Sequence, residues 1–141
     1  MTTEVKPIPE GYHTLTPYLI VHDAAQAIEF YKRAFGAAEL FRMAGPDGKV
    51  GHAEIKIGDS PVMLADKHPE MGARSPRSIG GSPVTLLVYV ENVDGFFNQA
   101  VAARVRSAYN QSDRFPLAAP GRCRPHSSFR EAQIPCLSET A

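Results

Sequence analysis

Several things are scarce in this sequence, and each scarcity narrows the reading. There are two cysteines in 141 residues, Cys123 and Cys136. Two do not make a disulfide scaffold, and free thiols are the expectation in a reducing compartment. No apolar run approaches the ~20 residues that a membrane span needs. The first ten residues are polar and hold no apolar signal segment, which makes the cytoplasm the expected location. Excess charge is missing as well, with 15 Lys and Arg against 15 Asp and Glu. That balance argues against a dedicated binder of nucleic acid or of a membrane surface.

What remains is enough for a real core. Apolar residues make up 43% and charged residues 21%, in a length that suits one domain. The composition breaks partway along. All the lysines (Lys6, Lys32, Lys49, Lys56 and Lys67) lie in the first half. Beyond Ala103 the basic side chains are arginines alone: Arg104, Arg106, Arg114, Arg122, Arg124 and Arg130. They outnumber the acids Asp113, Glu131 and Glu139, and four prolines accompany them. Residues 1–103 and 104–141 therefore call for separate readings.

Residues 14–21 are rich in β-formers and predict a strand, with Pro17 pointing to an edge or a bulge. Asp23 caps a helix, with Gln26 three residues on. Ala24, Ala27, Ile28, Tyr31, Ala34 and Phe35 keep helical spacing, and Gly36 stops the helix. Short strands follow at 38–43, 50–57 and 61–66, separated by Gly45-Pro46-Asp47-Gly48 and Gly58-Asp59. Residues 67–82 read as a loop, either linker or lid. The opening pattern then returns: a strand at 84–90, a cap at Asn92 and a helix to about Ala103. Val21-His22-Asp23 matches Val90-Glu91-Asn92 at an offset of 69 residues, and the pattern reads as a duplication.

These residues resemble a known family. The run from Tyr18 to Gly36 is similar to the opening of the glyoxalase/bleomycin-resistance/extradiol-dioxygenase superfamily, also called vicinal oxygen chelate. Gly45-Pro46-Asp47-Gly48, His52-Ala53-Glu54-Ile55, Val62-Met63-Leu64-Ala65-Asp66, Gly80-Gly81-Ser82-Pro83-Val84 and Val90-Glu91-Asn92-Val93-Asp94 resemble its PhnB-like branch. The similarity spans about residues 7–103. It implies an α+β fold of paired βαβββ modules whose sheets curve around a cavity, in a protein that forms a homodimer. On that pattern the first module covers 10–66, a linker 67–82, and the start of a second module 83–103. The family's best-known chemistry uses a divalent metal that grips two substrate oxygens; drug-sequestering members use the cavity without metal or turnover.

Alternation assigns the faces. If the helix covers the apolar sheet face, then Ala53, Ile55, Ile57, Val62 and Leu64 point at it. His52, Glu54 and Met63 then point into the cavity, as do Tyr18 and Tyr89 by parity. The resemblance puts three family ligand positions at Thr16, Met63 and Thr85, and the fourth has no counterpart. Those side chains do not make a hard divalent-metal site. His52 and Glu54 are the candidate catalytic pair: two weak ligands, a general base oriented by a carboxylate, or pocket groups that satisfy each other. Thr16, Tyr18, Met63, Thr85 and Tyr89 are candidate ligand-binding residues, and the two tyrosines read equally well as core aromatics. His13, His22 and His68 read as surface residues.

The expected function is small-molecule binding in a cavity without the standard metal set. The alternatives are a divalent-metal-dependent lyase or dioxygenase, with a ligand from another chain, and a drug-sequestering protein without turnover. The tail shows no strand alternation between Val105 and Ala141, and Arg104 stands where the family has glycine. Similar length with a lost pattern points to out-of-frame coding from about residue 104, and disorder of this Arg/Pro-rich stretch fits its composition as well. Cys123, His126 and Cys136 match no standard zinc spacing, and the arginines lack the pattern of a nucleic-acid binder.

Overall fold

A computed structural model describes residues 6–45, 47–103 and 130–135, the last stretch as backbone. The secure centre is one βαβββ unit. Strand β1 (Tyr18–Val21) leads into helix α1 (Ala24–Phe35), followed by β2 (Ala38–Ala44), β3 (Val50–Ile57) and β4 (Ser60–Asp66). The strands form one mixed sheet in the order β1-β4-β3-β2, with β1 parallel to β4 and the other pairs antiparallel. The α+β architecture inferred from the sequence is the one observed.

Helix α1 begins and ends where its sequence dictates. Asp23 Oδ1 accepts the Gln26 N–H at 3.0 Å, satisfying one of the orphan donors of the first turn. Gly36 closes the helix at φ 65°, a left-handed value that a side chain resists, and its N–H reaches the Lys32 carbonyl at 3.1 Å. The buried stripe is Ala24, Ala27, Ile28, Tyr31, Ala34 and Phe35, the expected set. It packs on Leu19, Val21, Ala53, Ile55, Val62 and Leu64 from the sheet. Ile28, Ile55 and Leu64 are fully enclosed. Each such side chain contributes roughly 1.5–3 kcal/mol relative to exposure.

Pro17 precedes an edge strand, where no ladder bond needs its missing N–H. Asp66 ends β4 and ties three elements together. Its Oδ1 accepts the Ala24 N–H at 2.9 Å and its Oδ2 the Val50 N–H at 2.7 Å. One carboxylate thereby caps α1 a second time and fixes where β3 begins.

The connector 67–82 contains more structure than a loop reading gives it. A 3₁₀ turn at Pro69–Met71 and a short helix α2 (Pro76–Ile79) occupy it, and α2 packs against β1. Proline at the first position of each turn, and Ser75 accepting the Ser78 N–H, explain these starts. The second unit is β5 (Thr85–Val90) and α3 (Val93–Ala102), with Asn92 accepting the Gly95 N–H at 2.9 Å. Helix α3 lies against α1: Phe96 stacks on Phe35 at 5.7 Å, and the Gln99 amide donates to the Arg33 carbonyl at 2.9 Å.

One short stretch of the tail also falls among the described residues. Residues Arg130–Pro135 form strand β6, antiparallel to β5 from Val90↔Arg130 to Thr85↔Pro135. Strand pairing joins backbone donors and acceptors, so an open edge such as that of β5 can recruit a segment whose side chains do not alternate. Cys123, His126 and Cys136 lie outside the described residues. Among the described residues no helix is long and apolar enough to cross a membrane.

Candidate functional site

The four-stranded sheet buries one face under α1 and leaves the other open. Register places Tyr18 beside Met63, Met63 beside Glu54, and Glu54 beside Phe41, in one row across all four strands. His52 pairs with Met43 one step along. Phe41 reaches this row because of a β-bulge: the pairing slips between Glu39 and Phe41, leaving Leu40 as the extra residue. Glu39 stays on the helix side, bonded to Lys32 and Arg42. Tyr18, Phe41 and Met43 are each about half exposed, at 48%, 49% and 52%, so the face is apolar and uncovered among the described residues.

A chain of hydrogen bonds crosses this face. The Tyr12 hydroxyl donates to Glu54 Oε2. Glu54 Oε1 lies 3.1 Å from His52 Nε2, and His52 Nδ1 lies 2.9 Å from the Tyr18 hydroxyl. Donor and acceptor roles follow from the carboxylate, which can only accept when ionised. Neutral His52 then carries its proton on Nε2 and donates to Glu54, while Nδ1 accepts from Tyr18. The Tyr18 and Phe41 rings flank the imidazole, with centroids 5.5 and 6.2 Å away.

The electrostatics agree with this geometry. Donation from Tyr12, and then from His52, holds the Glu54 carboxyl below its usual range. The same bond, with burial and the carboxylate's charge, pushes the Tyr12 phenol up. His52 and Glu54 side chains keep 22% and 19% of their exposure, so a ligand can still reach both.

Of the residues singled out by sequence, His52, Glu54, Tyr18 and Met63 come together on this face. Thr16 stands two residues before Tyr18 and is half-buried. Thr85 and Tyr89 lie on β5, in the separate β5-β6 sheet, on its exposed side. Tyr12 is the functional candidate that sequence reasoning missed. It is carried by a turn in which its N–H meets the Pro9 carbonyl at 3.1 Å and Gly11 takes φ 84°. The Pro-Glu-Gly signal for that turn is in the sequence, but nothing local links Tyr12 to a strand forty-two residues on.

The donors that the described residues bring to this face do not fit a divalent cation. Among the described residues no three His, Cys, Asp or Glu side chains gather where one ion could be held. The face offers one imidazole and one carboxylate, already bonded to each other.

Comparison with known proteins supplies the family. The model of the Glyoxalase/Bleomycin resistance protein/Dioxygenase superfamily matches residues 12–114, and the chain belongs to that superfamily. It is 50% identical over 92 residues to an uncharacterized protein of Mycobacterium bovis, covering 63% of this chain and 60% of that one. An uncharacterized protein of Mycobacterium tuberculosis matches equally over 92 residues, 63% of this chain and 54% of its own length. The chain thus spans less than two thirds of the curated relatives it matches. The X-ray structure of an Arabidopsis thaliana gene product superposes with a TM-score of 0.52 at 26% identity, over 65% of this chain and 73% of that one.

Proposed function

We propose that the open face of the four-stranded sheet binds a small organic molecule, without the superfamily's standard metal set. The observation that carries this reading is the hydrogen-bonded chain Tyr12–Glu54–His52–Tyr18 laid across a half-exposed apolar face. The core lies on the opposite face and does not need it. A few convergent polar groups among aromatic and thioether side chains are what a ligand site requires. His52 and Glu54 supply polar recognition, and Tyr18, Phe41, Met43 and Met63 supply contact area, with Thr16 at the rim. Thr85 and Tyr89, on the second unit, are proposed as the facing wall. Both nitrogens of His52 are engaged, so it is a recognition group first. Use as a general base would require a substrate that displaces Tyr18.

The proposal includes a cytoplasmic homodimer of the PhnB-like branch, with a module at 10–66, a connector at 67–82, an incomplete second module at 83–103 and an out-of-frame tail beyond. Resequencing the gene tests the tail: an intact frame, with the same tail in relatives, would overturn that part.

The test of the site uses acridone, a neutral fluorescent aromatic. His52→Ala is expected to weaken acridone binding about tenfold or more, roughly 1.4 kcal/mol, while the melting temperature stays nearly unchanged. A large loss of stability with binding intact would make His52 structural.

A further inference from the structure

The charges on the open face are unevenly placed. Glu54 is its central ionised group, at the middle of the row that runs Tyr18, Met63, Glu54, Phe41. Each carboxylate oxygen accepts one hydrogen bond, from Tyr12 and from His52, and each retains a lone-pair direction. Two neighbouring cations, Lys32 and Arg42, are bound to Glu29 and Glu39 on the helix side. Lys56 shares the parity of Glu54 but belongs to the next row, beside Pro61 at the Gly58-Asp59 end of the sheet. The aromatic rings add to the same sign, because the π faces of Tyr18 and Phe41 are negative. A carboxylate between two half-exposed rings attracts positive charge from both components.

On this basis, and resting on the binding reading above, we infer that the site selects a flat aromatic cation. Its ring lies against Tyr18 and Phe41, and its amine or ring N–H is directed at Glu54. Met43 and Met63 suit such a guest, since thioethers pack against ring edges and adapt to shape. An anionic ligand would meet Glu54 with no free cation opposite it among the described residues of this row. A neutral one would gain the apolar contact and hydrogen bonds, without the attraction between charges.

Three fluorescent probes of similar size separate these cases: proflavine, cationic at neutral pH; acridone, neutral; and anilinonaphthalene sulfonate, anionic. Each is titrated into the full-length protein at low and at moderate salt. Proflavine is expected to bind about tenfold tighter than acridone, with the sulfonate weakest, and added salt should narrow the gap. Glu54→Gln keeps the size of the side chain, removes its charge and leaves one acceptor oxygen where there were two, and within that variant proflavine should bind no tighter than acridone. Phe41→Ala should weaken proflavine and acridone together. Equal affinities for the three probes in the wild-type protein would overturn the inference, as would tighter binding of the sulfonate or a cation preference that survives Glu54→Gln. Acridone binding without discrimination would leave the binding reading standing, whereas no binding of any probe would remove both. The wild-type ratio decides the matter even if the variant fails to fold.

Discussion

The two β-α units of this chain are built on the same sequence pattern, yet they bury very different amounts. Helix α1 encloses six residues, whereas α3 encloses Val93 and Ala100. Strand β1 buries Leu19 and Val21, while β5 alternates between exposed and half-buried and encloses none. Both helices have a polar N-cap bonded in the same way, so the local signals are equivalent. The difference lies in the neighbours. The first unit has β2, β3 and β4 beside β1, and β5 has β6 among the described residues. Sequence pattern sets the element, and the layers packed against it set the burial.

The largest test of this contrast is a pair of truncations. Ile28→Ala, in the enclosed core, should cost about 2–5 kcal/mol by urea denaturation. Leu87→Ala, on the exposed side of β5, should cost about 0.5 kcal/mol or less. Equal costs would mean that the second unit is packed as tightly as the first.

Removing the caps should give a smaller effect in the same direction. Asp23→Ala should destabilise by about 1 kcal/mol, because α1 unravels only with the core. Asn92→Ala should fall toward the low end of the range for such caps, about 0.5 kcal/mol. Helix content followed by circular dichroism during denaturation reports both, and a reversed order would break the comparison.

The smallest effect concerns pH. The Glu54 carboxyl is held below its usual range by Tyr12 and then by His52. The stability it contributes is therefore complete above the ordinary glutamate value of about 4.3, and is lost as pH falls through the lower folded value. Unfolding curves of the wild type and of Glu54→Gln should keep a constant separation from neutral pH down to about 4.3, and converge as pH falls from there through the lower folded value. Parallel curves throughout would remove Glu54 from the linkage.

Much of this was legible in the residues themselves. Helical spacing identified the buried stripe of α1, from Ala24 to Phe35, and strict alternation along β3 separated Ala53 and Ile55 from His52 and Glu54. Alternation failed at Phe41, which a simple period of two would put beside Glu39 on the helix side. The bulge at Leu40 turns it to the open face, and a bulge leaves no periodic signature. Tyr12 and Asp66 escaped for another reason: their partners are remote, and a single polar side chain does not announce which distant group it will meet. Strand β6 escaped because backbone pairing asks little of side-chain pattern.

The central claim is that the open sheet face holds a small organic molecule without a resident metal, and native mass spectrometry of the purified protein tests it most directly. The account predicts a metal-free chain that carries an organic guest or takes up acridone, and that loses either one on Tyr18→Ala. One divalent ion per chain, removed by chelator together with binding, would contradict it and would turn His52 and Glu54 into metal ligands.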